Sequence, residues 1–570
     1  MAKYDTSFLE RMIDQALGRM EADVVIRNTR FLNVFTAEIA EGDIAICGDR
    51  IVGTYEGYRG RIEIDGRGLT AVPGFIDTHV HVESCLIAPG EFDRCVLPRG
   101  TTTAICDPHE ICNVMGTAGL DYFLGAAAGT VMDLRVQLSS CVPATHLETS
   151  GATLTADDLV KYKGHKHSIG LAEFMNVPGV LYKDPDVLAK LAAFEGCHID
   201  GHSPLLSGRD LNAYLSCGIR NCHETTSLAE AREKLRKGMQ VLIREGTVCK
   251  DVDTLSPLIT ADTSSFLAFC TDDRNPLDIH EEGHVDYLIR RAIRAGVPVA
   301  HAYRAASWSA AQGFGLRDRG VIAPGRRADI VLLNDLDSCD VNGVISAGRI
   351  VTPGLFDSRV LPAPIGLDSM KLAPVEAADF VVRASSPTGA VIGIEAGSVV
   401  TSHLTMTLPY KDGIRLPQPE NDVLKVCVVA RHGKNRNIGR GFVKGFGLAR
   451  GALASSVGHD SHNVCVVGQD DGEMAIAVNR LIEIGGGFVA VVDGRVVGEL
   501  ALPMAGLISL KPFEGVRSDL VALRKVIREL GCPLPEPFLQ LAFLPLPVIP
   551  HLKITDKGVV DVDKFELIAA

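Results

Sequence analysis

The chain has 570 residues, too many for one hydrophobic core, so two or three domains are expected. Hydrophobic residues make up 46% and charged residues 22%, the balance of an ordinary water-soluble fold. The formal net charge of −13 excludes the basic surface that a nucleic-acid partner requires.

Met1 to Asp5 leads into an amphipathic helix over Thr6 to Met20, not into an apolar signal core. The apolar run Phe538 to Pro550 is broken by Pro545, Pro547 and Pro550, so no membrane span is expected. The 15 cysteines contain no Cys-x-x-Cys pair, and Cys106, Cys141, Cys270 and Cys465 sit in apolar runs. That pattern fits reduced, buried thiols in a cytoplasmic protein. Short β runs follow at Ala22 to Arg27, Phe31 to Asn33, Gly42 to Cys47 and Arg50 to Tyr55, and similar runs recur at Ala328 to Leu333 and Val341 to Val351. They predict a small β-domain built from both flanks, residues 1–69 and 319–365.

Between them, residues 70–318 alternate strand and helix. Eight strands are expected: Ala71–His81, Thr102–Asp107, Leu134–Cys141, Ser168–Phe174, Gly196–His202, Gly218–His223, Met239–Glu245 and Phe266–Asp272. Helices are expected at Gly116–Ala128, Pro185–Glu195, Leu228–Lys237 and Val285–Ala295. Repeated βα units mean a parallel sheet, and eight over this length predict an α/β fold with a closed (β/α)₈ barrel, an open doubly wound sheet being the alternative. Residues 375–570 read as a C-terminal α+β domain, with a hairpin at Phe488–Val497 turning on Asp493-Gly494 and a helix at Asp519–Leu530. The basic run Arg431 to Arg440 is expected to be a solvated loop.

In a barrel, chemistry sits at the C-terminal strand ends. Strand one ends in His79 and His81, which alternation puts on one side. Later ends carry Glu173, His202, His223 and Asp272. A lone strand-end histidine is commonly a structural residue; five such ends together point to metal. Imidazole and carboxylate without thiolate suit Zn²⁺, Fe²⁺ or Mn²⁺. Six ligands exceed the three usual for one catalytic zinc, so two ions are expected. Glu173 is placed to bridge them, with His79, His81 and Asp272 on one ion and His202 and His223 on the other. A water between the ions would be the nucleophile, and Asp272 the group that takes and delivers its proton.

His79-Val-His-Val-Glu-Ser84, Cys106-Asp-Pro-His-Glu-Ile111, Ala172-Glu173, Gly201-His202, His223-Glu224, Thr271-Asp-Asp273 and the distant Gly458-His-Asp-Ser-His-Asn463 resemble the amidohydrolase superfamily and, more narrowly, the bacterial adenine deaminase family. The resemblance implies hydrolytic deamination of adenine to hypoxanthine and ammonia in purine salvage, by metal-activated hydroxide attacking C6. It also implies a two-metal centre, with Mn²⁺, Fe²⁺ or Zn²⁺. Candidate substrate contacts are Glu83, Ser84, Asp107, His109, Glu110, Arg244, Glu245 and Asp273, each of which could instead brace a metal ligand. A homodimer acting on a small molecule is expected. The alternatives are an amidohydrolase acting on an amide or cyclic amide (amino-sugar deacetylase or dihydroorotase-like), and a barrel that has lost catalysis. His459, Asp460 and His462 are expected in a loop that closes the site. His459→Ala should then lower turnover and leave metal content intact, as read by steady-state assay and elemental analysis; unchanged turnover removes the idea.

Overall fold

The computed structural model describes residues 5–569. Met1–Tyr4 and Ala570, at the ends of the expected first and last domains, lie outside the described residues. Asp5 caps the first helix, Thr6–Ala16, by accepting from the Phe8 amide. The helix ends before the expected Met20 because Gly18, at φ +68°, turns the chain.

The flanking β runs form one sheet. Its order is Arg349–Ile350, Asp340–Ser346, Ile330–Asp335, Thr70–Pro73, Ala22–Asn33, Glu38–Cys47 and Arg50–Thr54, with Gly60–Asp65 added beside Ala22–Asn33. The expected strand Ala71–His81 is therefore two strands. Thr70–Pro73 pairs with Ile330–Asp335 in the flanking sheet, and Phe75–Val80 begins the barrel. Gly74 makes the crossing, where a Cβ would meet Thr102 Oγ1 at 2.2 Å.

The barrel strands are Phe75–Val80, Thr101–Cys106, Asp133–Leu138, Ser168–Phe174, Ile199–Gly201, Asn221–Cys222, Gln240–Arg244 and Leu267–Cys270. The first five pair in parallel in order, as do the last three. The Asp272 amide donates to the His79 carbonyl (2.9 Å), closing the last strand on the first, and the Arg220 amide donates to the Ile199 carbonyl (3.3 Å). Strands five and six are shorter than expected. Gly196 and Gly218 have φ of +78° and +96°, so they turn the chain out of the preceding helices instead of opening strands. Ile76, Ile105, Leu242, Ala268 and Cys270, from four strands, pack inside against Phe314.

The C-terminal sheet runs Ser402–Thr407, Thr388–Gly393, Ile438–Lys444, Val423–Val429, Val464–Gly468, Ala452–Ser455, Gly487–Val492 and Arg495–Ala501. Asp493 and Gly494, both with positive φ, form the tight turn of the last hairpin. The helix expected from Asp519 starts earlier and spans Phe513–Glu529, its first turn tied to the barrel by the Phe513 amide on Glu91 (2.9 Å). The run Arg431–Arg440 is a solvated loop in its middle, where Gly433, Lys434 and Arg436 are exposed, but not at its ends. Arg431 is 0% exposed and donates to the Ser369 hydroxyl (3.2 Å), the Ala505 carbonyl (2.9 Å) and the His462 carbonyl, while the run's end enters the strand Ile438–Lys444.

At the barrel's N-terminal end, Arg319, 2% exposed, donates to Asp133 Oδ2 (2.5 Å) and Thr103 Oγ1 (2.8 Å). Burial works against the Asp133 carboxylate, but Arg319, Arg135 and Arg327 outweigh it and hold its pKa well below the ordinary 3.8. Arg319→Met removes one of the two arginines bonded to that carboxylate and, with Arg135 retained, should cost about 1–3 kcal/mol in denaturant unfolding. Because the folded pKa lies below the unfolded one, this contribution is full above 3.8 and lost as pH falls below it. The gap between wild type and R319M should narrow on acidification; a pH-independent gap refutes the pairing.

Candidate metal centre

All six strand-end groups meet at the C-terminal mouth of the barrel, and all are buried. His79 and His81 leave the first strand on the same side, and their Nε2 atoms lie 3.1 Å apart. The far nitrogen of each ring is engaged. His79 Nδ1 lies 3.1 Å from Asp200 Oδ2, and His81 Nδ1 lies 3.0 Å from the Asp107 carbonyl oxygen. A carbonyl and a carboxylate only accept, so both Nδ1 atoms carry hydrogen and both Nε2 atoms present lone pairs. Two lone pairs at that separation repel unless a cation lies against them.

Glu173 spans the cluster. Its Oε1 is 3.3 Å from His81 Nε2 and 3.9 Å from His79 Nε2; its Oε2 is 2.6 Å from His202 Nδ1 and 3.3 Å from His223 Nε2. Asp272 Oδ1 approaches His81 Nε2 at 3.3 Å and His79 Nε2 at 3.7 Å. Asp272 reaches this position from the left-handed backbone region, at φ +54°. His223 lies flat on His79, with centroids 3.9 Å apart. The donor atoms group as His79, His81 and Asp272 on one side and Glu173, His202 and His223 on the other, each set close enough to share one ion. Buried oxygens and imidazole lone pairs without thiolate fit a divalent cation.

The remaining expected contacts divide. Arg244, Asp273, His109, His459 and Asp460 line a cavity over the cluster, with about 520 Å³ of atom-free space. Arg244 donates to Asp272 Oδ2 (2.9 Å), Asp251 Oδ2 (3.3 Å) and Glu224. His109 Nδ1 sits 3.1 Å from Asp107 Oδ2 and 3.3 Å from Glu173 Oε1. Asp107 also accepts from the Ser139 hydroxyl (2.9 Å) and so braces His81 and His109 from outside the cavity.

Glu83, Ser84, Glu110, Glu245 and His462 do not line the cavity. Glu83 would share the side of His79 and His81 if the first strand continued, but the strand stops at Val80 and Val82–Cys85 is a 3₁₀ turn. Its carboxylate accepts from the Ile111 amide (3.2 Å), and burial together with Glu110 raises it to about 8. The Ser84 hydroxyl oxygen lies 2.8 Å from Glu110 Oε1 and 2.5 Å from Asp273 Oδ1, its single hydrogen serving one of them. Glu245 alternates outward from Arg244 and accepts from the Val252 amide (3.0 Å). His462 faces the loop interior, where its Nδ1 accepts from the Gly458 amide (3.2 Å).

Several functional groups were not singled out from sequence. Asp200 lies two residues before His202 and Glu224 one residue after His223; the alternation that found the histidines could have found Asp200. The C-terminal domain supplies a roof of Val399, Phe543, Leu546 and Ile549, together with His459 stacked on Phe543 at 4.8 Å. Nothing in an apolar, proline-broken run marks it as the roof of a site in another domain.

Comparison with known proteins agrees with this layout. Residues 70–351 match the amidohydrolase family and residues 398–566 match the adenine deaminase C-terminal domain. The adenine deaminase of Gluconobacter oxydans is 62% identical over 97% of this chain and 98% of its own length. That of Methylobacterium nodulans is 61% identical over 98% and 99%, and adenine deaminase 1 of Rhizobium etli 60% over 99% and 100%. Barrel, flanking sheet and roof are thus all shared, and the chain belongs to the adenine deaminase family of amidohydrolases.

Proposed function

We propose that the protein hydrolyses adenine to hypoxanthine and ammonia. The observation that carries this reading is the six-residue strand-end cluster beneath a roof drawn from the adenine deaminase C-terminal domain. The likeness to adenine deaminases over the full chain disfavours an amide or cyclic-amide hydrolase.

His79, His81 and Asp272 would hold one divalent ion, His202 and His223 the other, with one Glu173 oxygen facing each set. Mn²⁺, Fe²⁺ and Zn²⁺ all suit these donors. Bound there, two such ions supply Lewis-acid chemistry and lower the pKa of water. Water adds its oxygen at C6, the C6–N bond breaks, and the amine leaves as ammonia with one proton of water while the other ends on N1 of hypoxanthine. Asp272 is placed to carry a proton between these partners. The Arg244 guanidinium on Oδ2 (2.9 Å) favours the ionised form of that carboxylate between transfers. Hypoxanthine formation belongs to purine salvage, and 15 unpaired cysteines favour the reducing cytoplasm. No described helix is long and apolar enough to cross a membrane.

The direct test strips the metal, restores Mn²⁺, Fe²⁺ or Zn²⁺, and follows the ultraviolet spectrum of adenine. Conversion to hypoxanthine is expected; none with any metal at saturating adenine sinks the reading. In the same series, Glu173→Gln should lower metal content per chain together with turnover, and full occupancy with full activity refutes its bridging role. Asp200 fixes the His79 tautomer, so Asp200→Asn should weaken metal affinity about 10–100-fold in chelator competition. An unchanged affinity removes that role.

A further inference from the structure

The functional reading leaves a buried carboxylate of the cavity lining unused. Asp460, 2% exposed, projects into the cavity from the loop 458–463 of the C-terminal domain. Its Oδ1 lies 3.5 Å from His109 Nε2 and 3.7 Å from His459 Nδ1. Its Oδ2 is buried and has no hydrogen-bond partner among the described residues, nor has His459 Nε2. The other cavity carboxylates are engaged: Glu173 with imidazoles, Glu224 and Asp272 with Arg244, Asp273 with the Ser84 hydroxyl.

The loop is held firmly. The His462 amide donates to the Gly458 carbonyl (2.7 Å), the His459 amide to the Ala542 carbonyl (2.8 Å), and Asn463 Nδ2 to the Thr149 carbonyl (2.9 Å). Arg431 clamps the His462 carbonyl from behind. Asp460 therefore cannot readily swing out to find water. Burial works to raise its carboxyl, but the His109 and His459 imidazoles outweigh this and hold it ionised. A buried, fixed carboxylate oxygen with no donor is costly, and costs least when a ligand brings the N–H.

We propose that Asp460 Oδ2 accepts the N9–H of the free purine base and thereby sets the preference for adenine over 9-substituted adenines. This rests on the functional reading above. With C6 at the metal cluster, N7 lies beside the reacting carbon and N9 at the far side of the imidazole ring. The His109 ring, 3.3 Å from Glu173 at one nitrogen and 3.5 Å from Asp460 at the other, spans the distance between the cluster and Asp460. A 9-substituent removes the only hydrogen this edge offers and drives a carbon into the carboxylate. It also meets a roof, formed by Phe543, Leu546 and Ile549, whose side chains offer no hydrogen bond to a sugar. A site that hydrogen-bonds a substrate N–H rejects an analogue lacking it by roughly 10⁴-fold.

The test compares adenine with 9-methyladenine in metal-loaded wild type and Asp460→Asn, with hypoxanthine and 9-methylhypoxanthine as inhibitors wherever turnover is too slow to measure. Wild type should prefer adenine strongly. Asp460→Asn should lose about 10-fold in kcat/KM for adenine, because the amide oxygen still accepts the N9–H but without the charge. Its constant for the 9-methyl compound should stay within about threefold, so the preference falls by the adenine loss alone, while metal content holds at the wild-type value. Equal losses for both compounds, or no loss for adenine, overturn the assignment. Failure of wild type to deaminate adenine at all would instead overturn the functional reading.

Discussion

The architecture turns on two imidazole lone pairs held 3.1 Å apart. Nothing local to a strand favours such an arrangement. It exists because Asp200 and the Asp107 carbonyl each claim the opposite nitrogen of its ring, so neither histidine can turn its hydrogen toward the other. Glu173 and Asp272 bring negative charge to the same point, and the fixed cation that reaches this cluster is Arg244. In a buried site these charges are weakly screened, so the unbalanced negative potential becomes affinity for divalent ions. The cluster is suited to a cation because it is electrostatically incomplete.

That incompleteness has to be supported by rigid surroundings, and the fold supplies them in two pieces. The barrel fixes six groups from five strand ends, with Asp272 held by main-chain pairing to His79 despite its unusual backbone angle. The C-terminal domain fixes the roof through Arg431, whose guanidinium binds three separate segments and is itself fully buried. A buried arginine satisfied by carbonyls and hydroxyls, without a carboxylate partner, contributes its fixed geometry more than net stability. Here what it fixes is the loop carrying His459 and Asp460.

The convergence of the candidate ligands was legible in sequence because strand ends in a barrel are both few and converging, so His79, His81, Glu173, His202, His223 and Asp272 report one place. Groups that depend on where a strand stops were not. Glu83 looked equivalent to His81 until the chain turned at Val82, and Glu245 looked equivalent to Arg244 although alternation sends it outward. Asp200 and Glu224 were overshadowed by the histidines beside them. Arg431 was misread because a basic run normally seeks water, and only its tertiary partners reveal the exception. Phe543, Leu546 and Ile549 carry no signal at all: apolar residues in a core and apolar residues roofing a site obey the same burial rule.

The roof and the cluster are nevertheless coupled by that rule. Covering charged groups with apolar side chains strengthens every electrostatic interaction beneath them, which suits attack by water on a poor electrophile. The same covering makes any unpaired charge there more costly. A closed cavity of this kind can tolerate unmatched polar atoms only where the bound molecule will match them. Divalent cations would answer the lone pairs on the barrel side. On the roof side, Asp460 Oδ2 and His459 Nε2 remain, and a flat, edge-polar molecule filling the gap between the two domains is the shape that answers both at once.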